Sequence, residues 1–309
     1  MKHHMITSSD GSSTLKLEEF DECYHSTNGA FAEACHIYIH SGIEFLWRSV
    51  IQRTTDLNYQ KLEDHHLETA GNINMSQAGT DICIIDVGLG TALNCISALL
   101  WHQAMARSGM PAPRIHYIGL EKYPISMDEA LLLNFPQHIT GQQSLLYPNI
   151  ASFSNISNVS NFSNVYYCRE EVGRWFEMIH KVDWEENVKL APDFILTKHK
   201  CDITECTADD FCSKLYPEAP SAIFYDTFSP ATQPHLWDKR IFEEIFQGSQ
   251  PGSILTTYSS KGIVKQALRE AGFKLERLPG PAGKRHILRA CKQAITTSNN
   301  NRHTIYCSK

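Results

Sequence analysis

Short apolar runs alternate along the chain with segments of helical periodicity. Residues 82–87 form one such run, which ends in glycines, and apolar residues then recur at helical spacing from Ala92 to Leu100. Residues 115–121 and 222–226 are similar runs, and each ends in an acid. Short apolar runs bounded by turn residues are typical of buried strands. Strands that alternate with helices predict a mostly parallel sheet with helices on both faces, an α/β fold.

The same reasoning predicts the remaining elements. Strands are predicted at residues 12–17, 194–196 and 253–258, and less clearly at the start of residues 165–179. Helices are predicted at residues 30–53, with a break near Ser41-Gly42, and at residues 125–135, 236–246 and 262–270. Residues 274–278 and 286–290 resemble a closing antiparallel pair.

This pattern divides the chain into three parts. We expect an N-terminal extension over residues 1–80, in which the polar residues 57–79 are loop-rich. Residues 81–292 are expected to form the sheet domain, and the Ser/Asn/Phe-rich residues 151–164 a surface insertion. Residues 293–309 are polar and are expected to be a frayed tail.

Composition favours a cytoplasmic globular protein. The 309 residues suffice for a substantial core, and the net charge of −6 argues against a generally basic nucleic-acid binder but allows a local basic patch. Ten cysteines are scattered without a CxxC pair, which is typical of reduced thiols. The polar N-terminus has no signal-peptide character, and no apolar run approaches a membrane span.

A glycine-rich turn follows the first strand of the sheet domain at residues 86–91. Its glycines, Gly88 and Gly90, allow a sharp turn and a close approach to a ligand. Leu93 stands where a dinucleotide fingerprint has its third glycine, which favours a cofactor without a pyrophosphate over NAD. A plain tight turn between strand and helix is the alternative interpretation.

Three acids stand at or just beyond strand ends, where ligands bind in parallel sheets. Glu121 is suited to accept hydrogen bonds from two ribose hydroxyls, a device that NAD sites and S-adenosylmethionine sites share. Asp202 is suited to accept from an adenine amino group, or else is a loop acid or helix N-cap. Asp226 ends the third of these strands.

The segment from Asp226 to Trp237 is the richest in candidate chemistry. It joins a carboxylate to Phe228 and to Pro230, and it suits a flat base with an amine held beside a cofactor. A loop that caps the core, with Trp237 as its anchor, is the alternative. The fifteen histidines show no metal spacing, and the adjacent His65-His66 do not form a ligand pair, so we expect no metal site.

Short motifs in order along the chain carry a resemblance to a known family. In the first half of the chain they are Ser9 to Ser12 with Thr14-Leu15, Tyr24 to Phe31 with Glu33, Asp86 to Asn94, and Gly119 to Pro124. In the second half they are Asp226 to Pro230 with Pro234 and Trp237, Thr257 to Ser260, and a last motif made of Ala271 to Phe273, Pro279 to Pro281, and Lys284-Arg285. Together they make the chain similar to the methyltransferase domain of the tRNA 5-methylaminomethyl-2-thiouridine biosynthesis proteins (MnmC-like).

The resemblance implies a class I, Rossmann-like methyltransferase fold that uses S-adenosyl-L-methionine. It implies N-methylation of the 5-aminomethyl group of (2-thio)uridine at the tRNA wobble position. Cofactor contacts are implied for Tyr24, Ser26, Gly29, Glu33, Gly88, Gly90, Asn94 and Glu121. From their positions at the glycine turn and after a strand, we also expect cofactor contacts for Asp86 and Asp202. Asp226 corresponds to the acid beside the transferable methyl group. Leu89, Ala92 and Thr227 depart from the Phe, Gly and Gly that the family commonly has.

Substrate contacts are expected in two groups. Phe228 and Tyr258 are candidates to stack on the modified uracil, with Ser229 and Pro230 beside them. The basic residues expected to contact tRNA phosphates are Lys261, Lys265, Arg269, Lys284 and Arg285. A flavin-dependent oxidase domain of the bifunctional relatives does not fit in this chain, so a separate oxidase is an expected partner. An NAD-dependent oxidoreductase and a non-catalytic RNA-binding scaffold are the alternative functions.

Overall fold

The computed structural model describes residues 3–64, 81–147 and 165–293. The first element is a small antiparallel sheet formed by β1 (His3–Thr7), β2 (Ser13–Leu17) and β3 (Glu22–Cys23). The strand predicted at residues 12–17 is therefore confirmed as β2. Its partner β1 was missed because its sequence has no apolar alternation.

An eight-stranded sheet forms the centre of the fold. Its strands in chain order are β4 (Asp81–Val87), β5 (Arg114–Glu121), β6 (Val188–Ala191), β7 (Phe194–Lys200), β8 (Ser221–Tyr225), β9 (Ile254–Thr257), β10 (Lys274–Pro279) and β11 (His286–Cys291). They lie in the order β10-β11-β9-β8-β4-β5-β7-β6. The five strands from β9 to β7 are parallel, whereas β6, β10 and β11 are antiparallel. The predictions of a mostly parallel sheet and of a closing antiparallel pair are confirmed.

Helices precede the strands of this sheet and alternate with several of them. They are α1 (Ala30–Ala34), α2 (Phe45–Asp64), α3 (Leu93–Arg107), α4 (Met127–Leu132), α5 (Phe135–Gly141), α6 (Arg169–Lys181), α7 (Lys239–Gly248) and α8 (Gly262–Glu270), with short 3₁₀ turns at Gln143–Leu146, Ala208–Phe211 and Pro234–Trp237. The helix predicted at residues 125–135 is two short helices, α4 and α5. Residues 165–168 form no strand before α6.

A π-helical segment, Cys35–Glu44, joins α1 to α2. The break predicted near Ser41-Gly42 was wrong, because the wider π turns carry the helix through it without interruption. A Cβ atom on Gly42 would lie 3.2 Å from the Phe224 ring, so the glycine allows close packing on the sheet. The loop predicted from residue 57 was wrong for residues 57–64, which are helical; the rest of it lies outside the described residues.

The core has one part on each face of the sheet. Side chains alternate along β4, so Ile82 and Ile84 face one side while Cys83 and Ile85 face the other. The first side packs on α3 and the π-helical segment, and the second on α7 and α8. Both faces of the central strands are buried, which explains their continuous apolar runs.

The N-terminal residues share this core. Leu15 and Phe31 are buried in the same cluster as Ile84. The division at residue 80 stays a prediction, and the insertion at 151–164 and the tail from residue 294 lie outside the described residues. Among the described helices, none has the length and apolar character needed to cross a membrane.

Candidate active site

A cavity of about 630 Å³ opens at the carboxyl ends of β4, β5, β7 and β8, against the N-terminal residues. Its wall brings together twelve of the candidate residues: Tyr24, Ser26, Glu33, Gly88, Gly90, Asn94, Glu121, Asp202, Asp226, Phe228, Tyr258 and Lys284. Residues from seven separate parts of the sequence therefore meet at one edge of the sheet, as expected for a ligand site in an open parallel sheet.

The glycine turn forms the floor of this cavity. Gly88 has a φ of 93°, and a Cβ atom there would lie 2.8 Å from the backbone oxygen of Asp226. Gly90 has a φ of 50°, and a Cβ atom there would lie 3.0 Å from the Tyr24 ring. Ala92 has a φ of 59°, a conformation that favours glycine, which the resembled family commonly has at this position. The turn therefore brings bare backbone to the cavity.

Glu121, the last residue of β5, is held by backbone donors. The N–H of Gly90 donates to its Oε2 at 2.9 Å, and the N–H of Tyr123 donates to its Oε1 at 2.8 Å. Burial raises the pKa of Glu121. Each carboxylate oxygen keeps capacity for a further hydrogen bond, which suits the acceptance of two hydroxyls.

Asp226 lies just beyond the end of β8, between two side-chain donors. The hydroxyl of Tyr38 donates to its Oδ1 at 2.7 Å, and Nδ2 of Asn94 donates to its Oδ2 at 2.9 Å. Burial raises the pKa of Asp226 to about 6, although both hydrogen bonds oppose this; nearby Glu33 raises it further, and Lys284 lowers it. The carboxyl therefore changes charge close to neutral pH.

Asp86 and Asn94 lie beneath this carboxyl. Asp86 is fully buried and accepts a hydrogen bond from the hydroxyl of Tyr117 at 2.5 Å, so it does not line the cavity. Burial raises the pKa of Asp86 well above its usual range. Oδ1 of Asn94 is buried without a hydrogen-bond partner among the described residues, although Asn94 lines the cavity.

Aromatic side chains form the opposite wall. The rings of Tyr24 and Phe228 lie 5.2 Å apart, edge to face, and Phe20 lies 6.3 Å from Phe228. The hydroxyl of Tyr258 donates to the carbonyl of Thr227 at 2.9 Å, which fixes its ring beside the Asp226 loop. Such faces are suited to stack on a planar ring.

A half-buried ion pair, Lys284 with Glu33, lies in the cavity wall near Tyr258. Nζ of Lys284 contacts Oε2 of Glu33 at 2.5 Å and lies 5.0 Å from the centre of the Tyr258 ring. His25, beside it in the cavity, is neutral at pH 7, because burial and the charge of Lys284 lower its pKa to about 4. Lys284 therefore lies in the cavity wall rather than on an open basic surface.

Asp202 follows β7 at the far end of the cavity. Although burial opposes it, a hydrogen bond from Lys122 and two from Thr204 hold the pKa of Asp202 below its ordinary value. The N–H of Thr204, two residues further on, donates to Asp202 and so forms an Asx turn. This local role is close to the alternative interpretation of Asp202 as a loop acid or helix N-cap. Asp202 still lines the cavity.

Four other candidates do not line the cavity: Gly29, Ser229, Pro230 and Arg285. Gly29 precedes α1 with a φ of 130°, and a Cβ atom there would lie 2.9 Å from Asp10. The N–H of Ser229 donates to Glu22 at 2.9 Å, Pro230 is buried, and Arg285 is exposed. Gly29 and Ser229 therefore shape the backbone next to the site.

Tyr38, Glu22 and Cys201 are at the site, but no sequence pattern indicated them. Tyr38 occupied an apolar position of a predicted helix, and its polar hydroxyl on that face was the available signal. Glu22 binds the Asp226 loop through Ser229, and Cys201 lines the cavity beside Asp202. Nothing in their spacing links them to residues more than a hundred positions away.

Comparison with known proteins agrees with this geometry. Residues 171–293 match the family described as "S-adenosyl-L-methionine-dependent methyltransferase". The match confirms the predicted methyltransferase and favours it over an NAD-dependent oxidoreductase.

Curated relatives are similar over most of the chain. The "tRNA 5-methylaminomethyl-2-thiouridine biosynthesis bifunctional protein MnmC" of Stutzerimonas stutzeri is 29% identical over 70% of this chain, and that of Leptospira interrogans is 22% identical over 94%. The matches cover 28% and 36% of those proteins, so the chain spans about a third of their length. The resemblance to MnmC-like proteins is confirmed.

A solved structure shares the fold. The crystal structure of MnmC2 from Aquifex aeolicus superposes with a TM-score of 0.58 at 19% sequence identity, over 97% of this chain and 73% of that one. The predicted class I, Rossmann-like methyltransferase fold is confirmed. Within residues 3–64, 81–147 and 165–293, no three His, Cys, Asp or Glu side chains are grouped to hold a metal ion.

Proposed function

We propose that the protein catalyses S-adenosyl-L-methionine-dependent N-methylation of the 5-aminomethyl group of (2-thio)uridine at the tRNA wobble position. The observation that carries this proposal is the Asp226 carboxylate, held by Tyr38 and Asn94 where the glycine turn meets the aromatic wall. The name of the relatives, tRNA 5-methylaminomethyl-2-thiouridine biosynthesis bifunctional protein, supports the substrate class.

The cavity has the groups that the cofactor requires. Gly88 and Gly90 offer close backbone approach, and Glu121 offers two fixed carboxylate oxygens to the ribose hydroxyls. Asn94 and Asp202 also line the cavity, and we expect Asn94 to serve the methionine part and Asp202 the adenine end. When bound, S-adenosyl-L-methionine supplies an electrophilic methyl group.

Asp226 acts on the amine of the substrate. The amine needs a free lone pair, and the Asp226 carboxylate accepts an N–H hydrogen bond and so orients that lone pair. A carboxyl with a pKa of about 6 also accepts a proton more readily than an ordinary aspartate does. Tyr38 and Asn94 each occupy one of its oxygens, which fixes the direction of the remaining lone pairs.

The aromatic wall holds the uracil. Phe228 and Tyr258 are the candidates to stack on the flipped base, because RNA sites commonly unstack a base against aromatic rings. Their rings are fixed by Tyr24 and by the Thr227 carbonyl respectively. Ser229 and Pro230 contribute by fixing the loop that carries Phe228.

Basic residues outside the cavity are suited to hold the tRNA backbone. They are Lys261, Lys265, Arg269 and Arg285, of which all but the half-buried Lys265 are exposed. We call these four residues the basic cluster. Lys284 is not a member, because its ammonium group is paired with Glu33 in the cavity wall.

The reaction is tested by incubating the purified protein with S-adenosyl-L-methionine and tRNA that carries 5-aminomethyluridine, followed by nucleoside mass spectrometry. We expect the mono-methylated nucleoside with the native protein, and at least a hundredfold less with Asp226→Ala. Calorimetry with S-adenosyl-L-methionine and with NAD tests the cofactor. Binding of NAD alone, or full activity of Asp226→Ala, would overturn the proposal.

The setting of this reaction is also a proposal. Its substrate is a modified tRNA, and the scattered cysteines are suited to a reducing compartment, which together favour the cytoplasm. Substrates that carry a carboxymethyl group would first need oxidative removal of that group.

A further inference from the structure

Two cysteines lie at the end of the cavity that is formed by the loop after β7. Cys201 lines the cavity, whereas Cys206 is buried and only 4% exposed. Their sulfur atoms lie 3.6 Å apart, with the Cys206 thiol donating to Cys201. The two thiols are therefore in contact, and one of them is open to the cavity.

The residues between these cysteines form part of the cavity wall. Asp202 and Ile203 both line it, and the turn is closed by the N–H of Glu205, which donates to the carbonyl of Asp202 at 2.9 Å. A disulfide would bring the sulfurs to about 2.05 Å. We expect this short turn to take up part of the remaining approach of about 1.5 Å, which would move Asp202 and Ile203.

Cys201 is also the more reactive of the two thiols. The hydrogen bond from Cys206 lowers the pKa of Cys201, and that of Cys206 is raised by the same contact. The thiolate is the nucleophile towards peroxides, so Cys201 is the thiol that reacts first.

We propose that Cys201 and Cys206 are a peroxide-sensitive thiol pair whose oxidation to a disulfide weakens cofactor binding. The Cys201 thiolate attacks a peroxide oxygen, the O–O bond breaks, and the leaving oxygen departs as hydroxide, which takes up a proton to become water. The Cys206 thiol then attacks the sulfur of the resulting sulfenic acid, the S–S bond forms, and a second water leaves. Two thiols lose two electrons and two protons, one peroxide is reduced, and a dithiol reductant reverses the step.

The consequence for the cofactor rests on the proposed function, whereas formation of the disulfide does not. Oxidation shifts the Asp202 turn, at which we propose that the adenine end binds. We expect the dissociation constant for S-adenosyl-L-methionine to rise about tenfold or more. Bound cofactor covers the Cys201 side of the cavity, so it should slow the oxidation.

The pair is tested first by mapping the bond. The reduced protein is treated with hydrogen peroxide, the free thiols are alkylated, and the chain is cleaved after Glu205 so that the two cysteines fall on separate peptides. We expect these peptides to be joined until a reductant is added. Free Cys201 and Cys206 after peroxide treatment, or a link from Cys206 to Cys212 instead, would overturn the proposal.

Calorimetry with S-adenosyl-L-methionine then tests the consequence. Cys206→Ser should bind the cofactor as the native protein does and should lose the peroxide effect, whereas Cys168→Ser, which removes an exposed thiol outside the cavity, should keep it. An unchanged dissociation constant in the mapped disulfide form would refute the link to binding. If the reduced protein binds no cofactor, the proposed function fails while the mapping still decides whether the thiol pair exists.

Discussion

The hydroxyl of Tyr38 donates a hydrogen bond of 2.7 Å to Oδ1 of Asp226. Tyr38 lies in the π-helical segment near the N-terminus, and Asp226 follows a strand 188 residues later. The Tyr38 side chain is only 2% exposed, so this hydrogen bond is shielded from water. π-Helical turns are rare and are often found at functional sites. Here the segment brings a buried donor to the candidate catalytic carboxylate.

Removal of this donor is expected to slow methyl transfer. Tyr38→Phe leaves Oδ1 of Asp226 without its fixed partner, and hydrogen bonds to charged groups contribute about 1.5 to 3 kcal/mol. We expect kcat to fall about 10- to 100-fold, with little change in the dissociation constant for S-adenosyl-L-methionine. Single-turnover kinetics and calorimetry separate the two quantities.

Tyr167→Phe is the matched control, because that buried hydroxyl donates to the carbonyl of Leu100 at 2.8 Å and lies outside the cavity. It should keep the native rate. Equal losses in both variants would mean that Tyr38 acts through stability rather than through Asp226.

The rate is also expected to depend on the charge of Asp226. The carboxylate is the active form, and its pKa is about 6, so kcat/KM should fall as the pH falls through 6. In Tyr38→Phe the midpoint should move to higher pH, because the lost hydrogen bond is one that lowers the pKa of Asp226. A midpoint that is the same in both proteins would assign the titration to the amine of the substrate instead.

The same titration predicts an effect on stability. The carboxyl has a pKa of 3.8 ordinarily and about 6 when folded, so above pH 6 its charge disfavours the folded state, and protonation relieves this as the pH falls. Asp226→Asn should therefore raise the free energy of unfolding near neutral pH, by about 1 to 3 kcal/mol, while it abolishes transfer. The difference should shrink as the pH is lowered towards about 4. Urea denaturation at several pH values measures it, and an Asn variant that is less stable throughout would contradict it.

The sequence predicted those elements of the fold that a local signal, an apolar run ending in a turn, is sufficient to identify. Residues 82–87 and 222–226 are buried on both faces, so their apolar runs and their terminal turns identified β4 and β8 correctly. The continuity of the helix through Gly42 was not predictable, because it depends on how Phe224 packs against that glycine. Tertiary contact decided the structure there, not local preference.

The candidate site likewise has a part that local sequence predicts and a part that depends on tertiary contacts. Glu121 and Asp226 could be predicted because strand ends meet at one edge of a parallel sheet. The hydrogen-bond partners of Asp226 could not be predicted, because Tyr38 and Asn94 reach it from other elements of the fold. Lys284 and Arg285 were both expected to contact tRNA phosphates, yet Arg285 is exposed, whereas Lys284 is paired with Glu33 in the cavity wall.

A methyl group at position 88 is expected to disrupt the floor of the site. Gly88→Ala puts Cβ 2.8 Å from the backbone oxygen of Asp226, at a φ of 93° that alanine rarely adopts. We expect a loss of more than about 1 kcal/mol in the free energy of unfolding and at least a tenfold weaker binding of S-adenosyl-L-methionine. Thermal unfolding and calorimetry measure the two effects.

Gly262→Ala is the control for this change, because a Cβ atom at Gly262 meets no atom within 4 Å. It should bind the cofactor normally and be as stable as the native protein or slightly more so. If Gly88→Ala bound S-adenosyl-L-methionine with native affinity, the glycine turn would be able to accommodate a methyl group without loss of binding, which would contradict the prediction.

The basic cluster is expected to bind tRNA without affecting the cofactor. Lys261→Ala, Arg269→Ala and Arg285→Ala each remove an exposed positive charge, and a lost phosphate contact reduces the slope of log affinity against log salt by about 0.7 for single-stranded RNA. Lys239→Ala is the control, since that lysine is paired with Glu243 on α7 at 3.0 Å. We expect the triple variant to bind tRNA more weakly and with a flatter salt dependence, and to keep its dissociation constant for S-adenosyl-L-methionine. An unchanged slope would assign tRNA binding to another surface, because electrostatic contacts to phosphates cannot be lost without changing it.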